Sequence, residues 1–178
     1  YSGTIWTNRM QRKDTPSHDQ LLAELSRWLL TTHSIRMLGN LGFENAYALA
    51  MARTKAQALN IRSISDLAAH AGALTIAGDY EFFARPEWAA LRNAYGLHFH
   101  SERQMQPEFM YKAAASGEVD VISAYTSDGR IATNDLVVLD DVKHVIPPYD
   151  AILLLAPRRA HDDKLVAAIE KLTGQTIA

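Results

Sequence analysis

The sequence has 178 residues, 48% of them apolar and 21% charged, and 18 Lys and Arg against 20 Asp and Glu leave a formal charge of −2. At about 100–200 residues per domain this supports one ordinary domain, or one lobe and part of another, and it excludes a disordered or collagen-like chain. With no cysteine there is no disulfide, thiol nucleophile or Cys-type zinc site; the balanced charge argues against nucleic acid as the main partner, and the apolar runs at 151–156 and 166–169 fall far short of the ~20 residues that span a bilayer.

In chain order, Thr15-Pro16 offers a capping residue and a proline at the first helical position. Leu21, Leu22, Leu25 and Leu29 then recur at helical spacing, which predicts an amphipathic helix over 16–32, with Trp28 on its buried stripe. The apolar run within 44–52 reads as a buried strand. Short helices are predicted at 55–59 and, capped by Ser65, up to Ala71-Gly72. A strand at 74–77 precedes the helix 87–95, opened by Pro86 and closed by Gly96. Strands at 97–100 and 119–124 flank a helix that begins at Pro107 and stops at Gly117. Strands at 136–139 and 152–155 and a helix over 162–172 complete the chain.

Strands that alternate with helices and are nearly continuous apolar runs suit a sheet covered on both faces, so the expected class is α/β with a largely parallel sheet. The loop 126–135, turned by Ser127-Asp128-Gly129, follows a strand end, where such sheets place ligands. Enzyme signatures are missing. Ser123 and Ser127 lie in no G-x-S-x-G elbow, and Gly39-Asn40-Leu41-Gly42 lacks the phosphate-loop lysine. His98 and His100, two apart on a predicted strand, share a face, but spacing marks no third metal ligand. Asp140-Asp141 and Asp162-Asp163 read as a strand-end turn and a helix N-terminus.

The tyrosines are placed more suggestively. Tyr1, Tyr125 and Tyr149 adjoin turn sequences, and Tyr47 lies in the apolar run after Glu44-Asn45. Tyrosines gathered at strand ends make either an ordinary core rim or an aromatic cage, which holds a quaternary ammonium through cation–π attraction of about 0.5–2 kcal/mol per ring.

Longer motifs favour the cage. The stretches from Gly78-Asp79-Tyr80-Glu81-Phe82-Phe83 through Arg85-Pro86-Glu87-Trp88, then Met110-Tyr111, then Gly117 to Ile131, Asp135 to Asp141, and Pro147-Pro148-Tyr149-Asp150-Ala151 resemble the substrate-binding proteins of glycine betaine/choline (quaternary amine, osmoprotectant) ABC importers, from Tyr1 to about Leu172. The resemblance implies a type II-like periplasmic-binding-protein fold, in which two α/β lobes close over a ligand. It implies ligand contacts at Tyr1 and Thr4 of Tyr-Ser-Gly-Thr, Asn45 and Tyr47 of Glu-Asn-Ala-Tyr, Tyr125 of Ser-Ala-Tyr, and Tyr149 of Pro-Pro-Tyr-Asp. Arg85 matches a basic residue that reaches the ligand carboxylate in betaine binders; its plain structural alternative is an ion pair with Glu81 or Glu87.

The function implied is capture of glycine betaine, choline or a related quaternary amine and delivery to an ABC permease, in the periplasm or on the extracytoplasmic membrane surface. No enzymatic activity, cofactor or metal is called for. The competing class is the effector-binding domain of a transcription regulator, which shares the two-lobed architecture. Complete members carry a segment ahead of Tyr-Ser-Gly-Thr, whereas Tyr1 is the first residue here. The expected division is accordingly partial lobe 1 and hinge at 1–31, a complete lobe 2 at 32–135, and a return to lobe 1 at 136–178. As one complete lobe plus part of the second, the chain is expected to bind weakly or not at all, or to dimerise through exposed lobe 1 surfaces.

Overall fold

The structure, a computed structural model, describes residues 1–174. Helix α1 (Ser2–Thr4) runs into a π-helical turn, Ile5–Arg9. Then follow α2 (His18–His33), β1 (Arg36–Glu44), β2 (Tyr47–Ala52), α3 (Arg53–Leu59), α4 (Ile64–Ala68), β3 (Thr75–Gly78), α5 (Pro86–Tyr95), β4 (Ser101–Gln104), α6 (Pro107–Ser116), β5 (Val121–Tyr125), α7 (Arg130–Thr133), β6 (Leu136–Val138), β7 (Asp150–Leu155) and α8 (Asp163–Glu170). Among the described residues no helix is long and apolar enough to cross a membrane.

Two compact units result. One joins 1–46 to the segment from 147 onward, and the other is the contiguous stretch 47–146. These limits differ from the 31/32 and 135/136 boundaries expected from sequence, for reasons of strand pairing. Strand β1 pairs antiparallel with β7, drawing residues up to Glu44 into the first unit. Strand β6 pairs with β2, and Asp140 exchanges backbone hydrogen bonds with Arg62 and Ile64, which keeps the chain past 136 in the second.

In the first unit, α2 is capped by Ser17 and not by Thr15. The Ser17 side chain accepts from the Gln20 amide while the Gln20 side chain accepts from the Ser17 amide, a reciprocal cap that satisfies two orphan donors. Leu21, Leu25 and Leu29 then pack with the fully buried Trp6, whose indole donates to the Asp14 carbonyl at 2.9 Å.

The second unit holds a five-stranded sheet in the order β4-β3-β5-β2-β6. Strand β3 is parallel to β4 and β5, but β2 is antiparallel to both β5 and β6, so the sheet is mixed and not largely parallel. Because β2 is buried at five consecutive positions, its sequence shows coverage on both faces and carries no mark of direction. Helix α6 covers this sheet with Met110, Tyr111, Ala113 and Ala114 against Ala50, Ala77, Ile122 and Ala124. Ser63, and not Ser65, caps α4 through a reciprocal bond with Asp66. The strand expected at 97–100 lies four residues later, so His98 and His100 do not share a strand face; Leu97 is buried in the turn after α5, and the pairing segment is the exposed, charged edge Ser101–Gln104.

Candidate functional site

In the second unit the site grows from the register of two strands. Strands β2 and β5 run antiparallel with Tyr47 directly opposite Tyr125, and opposed residues project from the same face. Their ring centroids lie 5.0 Å apart, and the Tyr125 hydroxyl donates to the Tyr47 hydroxyl at 3.3 Å. Burial pushes the Tyr125 phenol well above its ordinary range, with the Tyr47 hydroxyl and the charges of Asp79 and Glu81 acting in the same direction. The ring is therefore neutral across physiological pH.

Arg85 reaches this pair from the turn after β3. Asp79 accepts from the Glu81 and Phe82 amides at 2.9 and 2.7 Å, which starts a 3-10 turn at Phe82–Ala84. Pro86 then opens α5 and holds Arg85 in an extended conformation at its N-cap. From there the Arg85 Nε donates to the Tyr47 hydroxyl at 2.9 Å, its guanidinium carbon sits 5.2 Å from the Tyr47 ring centroid, and Nη1 lies 3.2 Å from Glu81 Oε1. The ion pair with Glu81 anticipated for Arg85 is thus present. Phe82, absent from the sequence-derived set, stands 5.6 Å from the Tyr47 ring and is backed by Trp88 at 5.3 Å. Gly78 admits it: a Cβ there would meet Phe82 and Phe83 ring atoms at 2.9 Å.

The loop leaving β5 is fastened below Tyr125. The Asp128 amide donates to the Tyr125 carbonyl, and the Asp128 carboxylate takes Arg130 Nη2 at 2.6 Å and the Tyr111 hydroxyl at 2.9 Å. Arg130 stacks over the Tyr111 ring at 4.2 Å. The Arg130 guanidinium pulls the Asp128 carboxyl down to about 2, while burial, followed by the Asp128 carboxylate, pushes the Tyr111 phenol up to about 12.

In the first unit the Tyr-Ser-Gly-Thr and Pro-Pro-Tyr-Asp motifs interlock. The Ser2 hydroxyl donates to the Pro148 carbonyl at 3.0 Å and accepts from the Asp150 amide at 2.8 Å. Gly3 abuts the buried Tyr149 ring, and Tyr149 is also held through its backbone, accepting from the Asn45 amide at 2.9 Å and donating to Glu44 Oε2 at 3.4 Å. Asp150 further meets His18 at 3.1 Å. Tyr1 is the exposed N-cap of α1, and Thr4 closes that short helix. Of the seven expected ligand residues, then, Tyr47, Arg85 and Tyr125 are in direct contact in one unit. Asn45 and Tyr149 touch in the other, where Tyr1 and Thr4 lie on the segment bound to Pro148 and Asp150. Sequence reasoning passed over Ser2, Gly3, Phe82 and Asp128, although all four stand inside the motifs that carried the resemblance. Among the described residues, no three His, Asp or Glu side chains gather to hold a metal ion.

The OpuAC family, described as the substrate binding domain of ABC-type glycine betaine transport system, matches residues 3–178. The chain belongs to this family. Its members are the solute-binding components of ABC transporters and bind without catalysing a reaction. Across 156 residues the chain is 31% identical to the ergothioneine transport permease/ergothioneine binding protein EgtU of Helicobacter pylori strain G27, covering 87% of this chain and 28% of that protein. It is 27% identical to the carnitine transport binding protein OpuCC of Listeria monocytogenes, with 98% of this chain and 58% of that protein covered. A crystal structure titled as a glycine betaine/carnitine/choline ABC transporter superposes with a TM-score of 0.82 at 28% identity, over 98% of this chain and 65% of that one. The chain therefore spans between about a quarter and two thirds of the length of these relatives. The fold of the OpuAC chain is that of the type II periplasmic binding proteins.

Proposed function

We propose that this OpuAC chain is the solute-binding part of an ABC importer that captures a quaternary amine on tyrosine faces and hands it to a permease. The observation that carries the reading is the opposed Tyr47–Tyr125 pair, extended by Phe82 and tied to Arg85. A trimethylammonium head donates no hydrogen bond and is weakly hydrated, so selectivity for it has to come from ring faces around its methyl groups. Tyr47, Arg85 and Tyr125 are the proposed ligand residues of the second unit, and Tyr1, Thr4, Asn45 and Tyr149 those of the first. Family membership favours a transporter component over a transcription regulator's effector domain, and solute-binding proteins of importers work outside the cytoplasm.

Arg85 bears on the class of amine. A fixed guanidinium beside the rings repels a simple cation such as choline and pairs with the carboxylate of a betaine, which favours carboxylate-bearing ligands. The names of the Helicobacter and Listeria relatives put ergothioneine and carnitine on the panel to be tried. The test is calorimetric titration with glycine betaine, carnitine, ergothioneine and choline. Tyr125→Ala is expected to weaken every bound quaternary amine about tenfold, the worth of one ring face. Arg85→Ala is expected to weaken the carboxylate-bearing ligands and to leave choline bound at least as tightly as in wild type. Unchanged affinities in Tyr125→Ala would overturn the ring assignment.

A further inference from the structure

We infer that Glu81 sets how strongly the site prefers betaines over choline, by competing with the ligand carboxylate for Arg85; this rests on the quaternary-amine site proposed above. The two partners of this ion pair are unequal. The Arg85 side chain is 12% exposed and Glu81 is 66% exposed, so the guanidinium is held inside while its partner reaches in from solvent. Tyr47 accepts from Nε on one edge of the guanidinium, and Glu81 takes Nη1 at 3.2 Å. A guanidinium has five N–H donors and one charge, and what Glu81 engages is withheld from an incoming carboxylate.

The placement of Glu81 is built and not incidental. Its backbone amide is bonded by the buried Asp79, the same aspartate that starts the turn leading to Arg85, and the two residues stand four apart across that turn. Its charge also acts on the Tyr125 hydroxyl, which places its field at the ring pair. A betaine carboxylate has to displace Glu81 or share the guanidinium with it, and meets like-charge repulsion either way. Choline, with a hydroxyl in place of the carboxylate, meets neither. Because Glu81 is exposed and solvent screens its side of the pair, its hold on Arg85 is modest, so Glu81 tunes the preference and does not block binding.

The experiment is a double-mutant cycle on the purified protein, with glycine betaine and choline titrated into wild type, Glu81→Gln, Arg85→Ala and the double variant. In Glu81→Gln the ratio of glycine betaine to choline affinity is expected to rise about threefold to fivefold, and in the Arg85→Ala background the same substitution is expected to leave that ratio unmoved. A ratio in Glu81→Gln that stays within twofold of wild type overturns the inference. So does a shift that persists without Arg85, because Glu81 would then act on the ligand directly. Failure of wild type to bind any of glycine betaine, carnitine, ergothioneine and choline removes the quaternary-amine reading itself, whereas binding of glycine betaine and choline with an unmoved ratio removes only the role of Glu81.

Discussion

At Gly3 the missing side chain is the space that Tyr149 occupies. A Cβ built there would fall 2.3 Å from the Tyr149 Cε2 and 2.4 Å from its Cδ2, closer than any two carbons approach without a bond. The ring has little freedom to retreat, since Tyr149 is buried and both its amide and its carbonyl are hydrogen-bonded within the unit. Gly3→Ala is therefore expected to cost about 1–3 kcal/mol, the range for overpacking a filled core, measured as a fall in the urea midpoint with an unchanged slope. If Tyr149 contacts ligand as proposed, the same variant also weakens binding; stability and affinity that both match wild type would show that the ring yields freely. The residue scale also shows what sequence conveys of a site. Tyr149 stands out in Pro-Pro-Tyr-Asp by its chemistry, and Tyr47, Tyr125 and Arg85 by theirs. The long-range partners of Ser2 and Gly3 lie 146 to 148 residues away, and neither a lone serine nor a glycine signals such a partner.

Among the elements, the end of β5 depends on a carboxylate. Asp128 joins the loop after Tyr125 to Tyr111 on α6 and to Arg130 on α7, and it ionises in the folded chain at about 2 against 3.8 for the free side chain. The folded state thus binds the Asp128 proton more weakly than the unfolded chain does. Its contribution to stability is complete above about pH 4 and fades as the pH falls toward 2. Arg130 is 42% exposed, so solvent screens part of this coupling, and Asp128→Asn is expected to cost about 1–2 kcal/mol at neutral pH. Denaturant unfolding between pH 5 and 2 checks it: the variant should lose less stability than wild type over that interval, and parallel curves would refute the linkage. Legibility at this scale follows local chemistry. Helices α5 and α6 are readable because Pro86 and Pro107 start them and Gly96 and Gly117, both left-handed, end them. Strand β1 is not, because its pairing with β7 is interrupted by register shifts and its burial is uniformly intermediate from Met37 to Leu41, alternating only at its end. Strand β4 pairs with β3 along an exposed edge, where Glu102 and Arg103 add ion pairs to Arg92 and Glu118, and its sequence has no apolar residue to betray it.

For the molecule as a whole, the connectivity assigns different folding problems to the two units. Every strand of the five-stranded sheet, the helix that covers it and the Tyr47–Arg85–Tyr125 cluster lie between residues 47 and 146, in one uninterrupted stretch. The other unit pairs β1 with β7 across that whole stretch, and closing a loop of about 100 residues costs on the order of 4 kcal/mol in chain entropy. The contiguous unit meets a closure cost of similar size where β2 pairs with β5 and β6, but its hydrophobic core of α6 against β2, β3 and β5 is complete without outside residues, so it should form first. A polypeptide of residues 47–146 is accordingly expected to fold alone, with one cooperative urea transition followed alike by far-ultraviolet circular dichroism and by the fluorescence of Trp88. The ring stack from Tyr125 through Tyr47 and Phe82 to Trp88 belongs entirely to this stretch, so its near-ultraviolet signal should survive the excision. A fragment with helical signal but no near-ultraviolet signal and no cooperative transition would mean that the sheet needs the other segments to pack, and the boundary at 46/47 would then mark a change of direction in the chain and not the edge of a folding unit.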